Sequence, residues 1–336
     1  MGFLSLIIAL LLEQVRPLQS DNPVHGGVRS ISAKLERSFN AGEKQQGIVA
    51  WLLLVLPLTL GAWLIFYLLV RAHPFLGLGW NVLVLYLTLG FRQFSHHYTD
   101  IQVALANNDL AQARLILTQW KLATDPGFSA LESSTREVSR IAIEEALLAS
   151  HRHVFGVLFW FVVLPGPSGA VMYRLAEHLA RSWGTTSARM SNATGQTEPF
   201  GDFSQRIFLF IDWVPVRLSA IGFAVVGNFE DAIFCWRNYS QQWTDPSRGI
   251  ILAAGAGALG VRLGDTRSFT AGTVPNASVL QPAGAPVEPI AETAGETMPG
   301  VDASPAAMRS AVGLVWRSMV LWLILLLLLS LGGLFG

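Results

Sequence analysis

Long uncharged runs of Leu, Val and Ile alternate with polar stretches along this chain, and several runs are long enough to predict membrane helices. The clearest extends from Ile48 to Val70, matching the roughly 20 apolar residues of helix that a bilayer core requires. Pro57 and Gly61 within it are tolerated in membranes, and Trp51 and Tyr67 stand near its ends, where interface aromatics collect. After a break at Arg71 to Pro74, a second run from Phe75 to Phe91 completes a predicted helical hairpin over residues 48–91. A third run, Val154 to Tyr173, is interrupted by Pro165-Gly166-Pro167 and predicts a kinked span or a re-entrant segment. Met319 to Phe335, almost entirely Leu, predicts a C-terminal span. Gly2 to Leu12 is apolar but short; without a basic leader or a small-residue cleavage site it reads as an uncleaved membrane helix continuing to about Gln14. Ile207 to Val226 is apolar too, but Asp212, Pro215 and Arg217 interrupt it, which predicts a half-buried or interfacial helix rather than a simple span.

The polar stretches are of two kinds. Gln93 to Arg152 has helical composition, with Ile101, Leu105 and Leu115 at roughly helical spacing and Asp125-Pro126-Gly127 as a turn. Ala271 to Ala307 is rich in Ala, Pro, Gly, Thr and Glu, the composition of a linker, and Thr185 to Thr197 is a shorter stretch of the same kind. The predicted fold is therefore all-α: a polytopic helical membrane protein with amphipathic cytoplasmic helices. Its expected divisions are N-terminal membrane helices (1–92), an amphipathic helical segment (93–153), membrane and interfacial helices (154–265), a flexible linker (266–310) and a C-terminal membrane helix (311–336). Basic residues flank the hairpin on both sides, from Arg16 to Lys44 and from Arg92 to Arg152, against only Arg71 at its tip. That bias predicts cytoplasmic flanks.

Composition supports the membrane reading. Hydrophobic residues make up 51% and charged residues 14%, with mean hydropathy +0.44, whereas soluble domains carry ~25% charge. The formal net charge is zero, so no basic excess points to nucleic acid and no acidic excess to a solvating tail. The single cysteine, Cys235, precludes an intrachain disulfide and reads as a small buried hydrophobe.

Motifs of high specificity are absent: there is no Walker loop, GxGxxG, HExxH or paired CxxC. The run Ala253 to Gly260 is read as small residues for close helix packing rather than as a nucleotide loop, since neither a preceding strand nor a following lysine accompanies it. His96-His97 and His151-Arg152-His153 form two histidine clusters. Helical spacing puts Glu144 and His151 on one face, giving either a metal or acid–base site or an interfacial polar belt. Asp212 and Arg217 lie in an apolar segment, where charges tend to pair or to face a polar cavity.

Several of these elements resemble the CobD/CbiB membrane family. They are Val103-Ala104-Leu105 with Asn108-Asp109-Leu110, Leu158-Phe159-Trp160, Gly169-Ala170 with Tyr173-Arg174, Phe200-Gly201, Trp213 to Leu218, Asp245-Pro246, and the run Ala253 to Gly264 ending Arg262-Leu263-Gly264. The resemblance covers about residues 90–265. It implies a cobinamide-phosphate synthase-like ligase of cobalamin biosynthesis, which uses ATP, with Mg, to join an amino-alcohol phosphate to a corrin propionate. Where the family's pattern is polar, this chain has Leu148-Ala149, Ala180 and Leu252; the polar groups that remain as implied catalytic residues are Glu144, Glu177, Asp212 and Arg217. Asp212 to Leu218 and Leu158 to Trp160 also resemble AmpE, a membrane protein linked to signalling around β-lactamase induction. Two readings follow: an inner-membrane enzyme acting on a corrinoid, or a non-catalytic AmpE-like signalling or scaffold protein working through residues 93–152. Membrane lipid is a partner in both, nucleic acid in neither. A transporter is the weakest reading, because no internal repeat supports it.

Overall fold

The computed structural model describes residues 2–16, 22–40, 44–122, 125, 127–194, 200–264 and 298–335. Among them every regular element is helical. Four helical runs have the length and composition to cross a membrane: 45–72, 135–163, 202–226 and 305–332. The protein is an all-α polytopic membrane protein.

The hairpin consists of α3 (Lys44–Ala72) and α4 (Pro74–Thr88). His73 caps α4 by accepting from the Phe75 amide, Pro74 occupies its first turn, and the Trp80 indole donates to the Ala62 carbonyl of α3 at 3.1 Å. Its second arm is a shorter apolar helix, as is α1 (Gly2–Val15), which packs against it. Between them in sequence lies α2 (Pro23–Phe39), started by Asn22, whose side chain accepts from Val24 N, and by Pro23 at the first helical position.

The amphipathic part forms α5 (Phe91–Ala106), α6 (Leu110–Leu122) and α7 (Thr135–Ser150). Ser134 and Glu137 close a reciprocal capping box at the start of α7. α7 does not stop at the expected boundary near residue 153. It runs through a π-helical turn, His151–Phe155, into α8 (Gly156–Val163), and the Gly156 amide bonds back to His151 O. The third membrane run therefore begins upstream, at Thr135, and Pro165-Gly166-Pro167 marks its end rather than a kink within it.

Beyond that break, α9 (Ser168–Thr194) is one long helix, so Thr185 to Thr194 is helical where composition predicts a linker; the rest of that stretch lies outside the described residues. Likewise α10 (Asp202–Val226) is unbroken and has the length and composition to span, with half of its most apolar stretch buried, in keeping with the half-buried alternative; Asp212 and Pro215 are buried inside it and do not interrupt it. After α11 (Phe229–Tyr239) and a short 3-10 turn, α12 (Pro246–Leu259) carries the Ala/Gly run into the core. Its small residues permit close approach, as expected. Gly257 lies on the Asp231 carbonyl of α11, and Gly255 lies on the Leu147 side chain of α7. Cys235 is buried and free.

α12 ends at Gly260, in the left-handed region with φ +65°. The following residues form a neck: Val261 and Val301 make a parallel bridge, with Arg262 N to Val301 O at 2.8 Å and Val301 N to Gly260 O at 2.9 Å. The last helix, α13 (Pro305–Phe335), starts four residues later. Most of the linker stretch 266–310 lies outside the described residues. α13 is fastened by the Tyr98 hydroxyl, which donates to Met308 O at 2.8 Å, and by Trp322, which stacks on Phe155. Phe155 also meets Phe223 of α10 edge-on, so the π turn sits at the centre of the bundle.

Candidate functional site

The polar residues of the interior converge on the π turn. A regular helix spaces successive side chains by about 100°; here His151, Arg152 and His153 turn toward three different neighbours, and such turns often occur at functional sites. His151 meets α10: its Nε2 stands 2.9 Å from Asp212 Oδ1 and its Nδ1 2.9 Å from Ser219 Oγ. Tyr173 of α9 donates its hydroxyl to the same Asp212 oxygen at 2.8 Å. The order serine, histidine, aspartate is that of a hydrolase triad, but all three side chains are buried. The series joins α10 to α7 and α9 instead of presenting a nucleophile. Gly156 makes room for it, since any Cβ there would run into the Tyr173 ring.

Arg152 reaches α12, whose first turn is capped by Asp245 accepting from the Ser247 and Arg248 amides. Arg152 Nη2 lies 3.3 Å from Asp245 Oδ2, with Glu177, Tyr173 and Asp212 also within its electrostatic reach. His153 lies among Arg174, Glu177, Arg181 and Arg152. The centre of this second group is Glu177, on the face of α9 that also carries Arg174 and Arg181, at helical spacings of three and four. Arg174 Nη1 donates to Glu177 Oε2 at 3.3 Å, and Arg181 Nη1 stands 3.8 Å from Oε1. Burial by itself would raise the Glu177 pKa, but Arg181 and Arg174, with His153 and Arg152 behind them, hold the carboxyl well below the usual range. Next to it, burial outweighs the pull of Glu177 and pushes His178 down to about 4. His178 Nε2 is 3.2 Å from the Ser32 hydroxyl, so α2 lies over this face.

Glu144 belongs to a third group. Its Oε1 accepts from Arg140 at 2.9 Å and from the Gly264 amide at 2.8 Å, and its Oε2 from Arg248 at 3.2 Å. Both oxygens are engaged in holding α12 and the neck to α7. Glu144 and His151 consequently serve different partners, although they lie on one face of α7.

Of the four implied residues, Glu177 and Asp212 come together around Arg152, and Glu144 joins them through the first turn of α12. Arg217 does not. It is half-buried, donates to Trp213 O at 2.7 Å and lies 4.1 Å over the Trp213 ring, so the expected pairing with Asp212 is replaced by His151 and Tyr173. Sequence reasoning missed Arg174, Arg181 and Arg248 as site residues and took Arg152 only as part of the histidine cluster and of the basic flank; the signal that could have found Arg174 and Arg181 is their stripe with Glu177 on α9.

Three buried atoms near the π turn lack a hydrogen-bond partner: Glu177 Oε1, Asp212 Oδ2 and His153 Nδ1. The two carboxylate oxygens need a donor or a water, and His153 Nδ1 needs a donor or an acceptor according to its tautomer. They do not amount to a preformed metal cage: among the described residues no group of three or more His, Cys, Asp or Glu could hold a metal ion.

A family model described as CobD/Cbib protein matches residues 6–297, most of the chain. The chain belongs to this family. "Cobalamin biosynthesis protein CobD" of Stutzerimonas stutzeri is 34% identical over 335 residues, 97% of each chain. Its namesake in Chromobacterium violaceum is 36% identical over 219 residues, 65% of this chain and 64% of that one. "Cobalamin biosynthesis protein CbiB" of Salmonella typhimurium is 25% identical over 282 residues, covering 80% and 84%. No solved structure matches the chain. CobD/CbiB membership thus extends well beyond residues 90–265 and takes in α1 to α4.

Proposed function

We propose that this protein carries out the amide-forming step of its family at the bacterial inner membrane: ATP-dependent joining of an amino-alcohol phosphate to a corrinoid side chain. The observation that carries the reading is the buried carboxylate oxygen Glu177 Oε1, left without a hydrogen-bond donor in a cluster that also holds Arg152 and Asp212. Amide formation between an amine and a carboxyl needs the two groups held in attack geometry and the negative charge of the phosphates countered. Glu177, kept ionised by its arginines, is suited to orient a donor rather than to take its proton. Asp212, fixed by His151 and Tyr173, lies in a second position facing Arg152. Glu144 acts indirectly, holding Arg248 and with it the first turn of α12, while Arg217 takes no part.

The test is complementation of a strain lacking cobinamide-phosphate synthase on medium that demands cobalamin. Wild type is expected to restore growth, Glu177→Ala and Asp212→Ala to abolish rescue, and Arg217→Ala to retain it. Absence of rescue by well-expressed wild type rejects the reading.

A further inference from the structure

The packing of α2 leaves one of its faces unused. At about 100° per residue, His25, Ser32 and Glu36 share a face, and that face is turned to the protein. His25 Nε2 stands 2.9 Å from Leu87 O of α4, and Ser32 is buried against His178 of α9. Glu36, the one acid of the helix, is half-buried there. Val24 and Ile31 share the neighbouring face, and each keeps 48% of its surface exposed. Lys34 follows about 60° round the helix from Ile31, and Arg37 about 120°. Both are exposed, and among the described residues neither is in a salt bridge.

Two bonds set the depth of this helix. The Tyr86 hydroxyl donates to Arg16 O at 2.8 Å, just past the end of α1, and His25 meets the next carbonyl of α4, Leu87 O. α1 and α4 are apolar helices that end at this level, so α2 starts at the edge of the apolar layer. At that depth an exposed valine and isoleucine face acyl chains, and basic side chains beside them reach the headgroups. Two positive charges with no carboxylate to pair with complement a negatively charged lipid surface.

We propose that α2 is an interfacial helix that binds anionic phospholipid. Val24 and Ile31 enter the acyl boundary, and Lys34 and Arg37 hold the phosphates of negatively charged headgroups in the leaflet on the side of the basic flanks. The contact is independent of the proposed function, because it uses none of the residues assigned there.

Two measurements on the purified full-length protein in phosphatidylcholine nanodiscs test it. In the first, a nitroxide is attached at Ile31→Cys or at Ser30→Cys, the native Cys235 being buried. Position 31 is expected to be open to oxygen and shielded from a water-soluble nickel chelate. Position 30, exposed and about 100° away, should show the reverse. In the second, trace spin-labelled phosphatidylglycerol or phosphatidylcholine reports which lipid the protein retains. Phosphatidylglycerol is expected to be favoured, and Lys34→Ala and Arg37→Ala should each lower that preference by about two- to fivefold, the scale of one basic residue at an anionic surface. High salt should lower it too. Lys34→Arg keeps the charge and should keep the preference, and Arg206→Ala, an exposed change on α10, should alter nothing. If an alanine variant fails to fold, Lys34→Gln should show the same loss. The proposal is overturned if position 31 is as open to nickel as position 30, which would leave the face to water or to a soluble partner. It is equally overturned if both lipids are retained alike, or if the Lys34 and Arg37 variants behave as wild type.

Discussion

The four candidate spans fall into two pairs. Residues 45–72 and 305–332 have mean hydropathy 2.4 and 2.3, with 28% and 33% of their most apolar stretch buried in the protein; residues 135–163 and 202–226 have 1.5 and 1.7, with 61% and 50% buried. The outer pair presents Leu60, Leu64, Leu68, Leu328 and Leu329 outward. The inner pair carries His151, Arg152, Asp212 and Ser219. In a bilayer, apolar character tracks contact with lipid rather than distance from the protein's surface, because lipid offers no hydrogen bonds and a protein neighbour can. Polar chemistry can therefore ride only on spans that the rest of the bundle surrounds.

The sharpest challenge to this contrast is Asp212→Leu, which adds apolar surface to an inner span and strands His151 and Tyr173. Breaking a buried charged pair costs about 3–5 kcal/mol, so thermal unfolding in detergent should show a large loss of stability. An unchanged midpoint would mean that the network contributes nothing. Next comes pH. Because His178 stays neutral in the fold down to about 4 whereas an unfolded histidine takes its proton near 6.5, acid favours the unfolded chain. Stability should be full above about 6.5, fall by up to about 3 kcal/mol as pH drops toward 4, and gain no further loss from this group below that. His178→Gln should flatten the slope over that window. Gly257→Val forces α12 away from the Asp231 carbonyl and should cost about 1–3 kcal/mol, again read from the unfolding midpoint. The smallest effects are expected outside: Arg217→Ala should lose about 0.5–1 kcal/mol of cation–π contact, and Leu328→Ala about 0.5 kcal/mol or less. A large loss at Leu328 would show that α13 has a protein neighbour there.

Legibility in the sequence follows the same division. The outer spans were readable, since a lipid-facing helix must be apolar whatever its neighbours are. α10 was not: Asp212 and Pro215 look like interruptions until His151 and Tyr173, distant in sequence, arrive to satisfy the carboxylate. Asp212 and Arg217 could not have paired on a helix, where five residues separate two side chains by about 140°. Thr185 to Thr194 has the composition of a linker, yet Trp183 just before it is buried against Phe200 at 5.0 Å between ring centroids, and α9 continues past that anchor. For the site, resemblance pointed to Glu177 and Asp212, and both lie in the polar centre. The arginines escaped notice because positive residues near a membrane also report orientation, and only their stripe on α9 distinguishes the two roles.

The neck at Val261 and Val301 has a consequence for how the chain tolerates change in length. With Arg262 N on Val301 O and Val301 N on Gly260 O, the two ends of the intervening stretch are pinned together by the fold itself. Closing a loop costs only as the logarithm of its length, with each doubling adding about 0.6 kcal/mol. The bonds at Gly260, Arg262 and Val301 thus fix where α13 begins relative to the end of α12, whatever length of chain joins them.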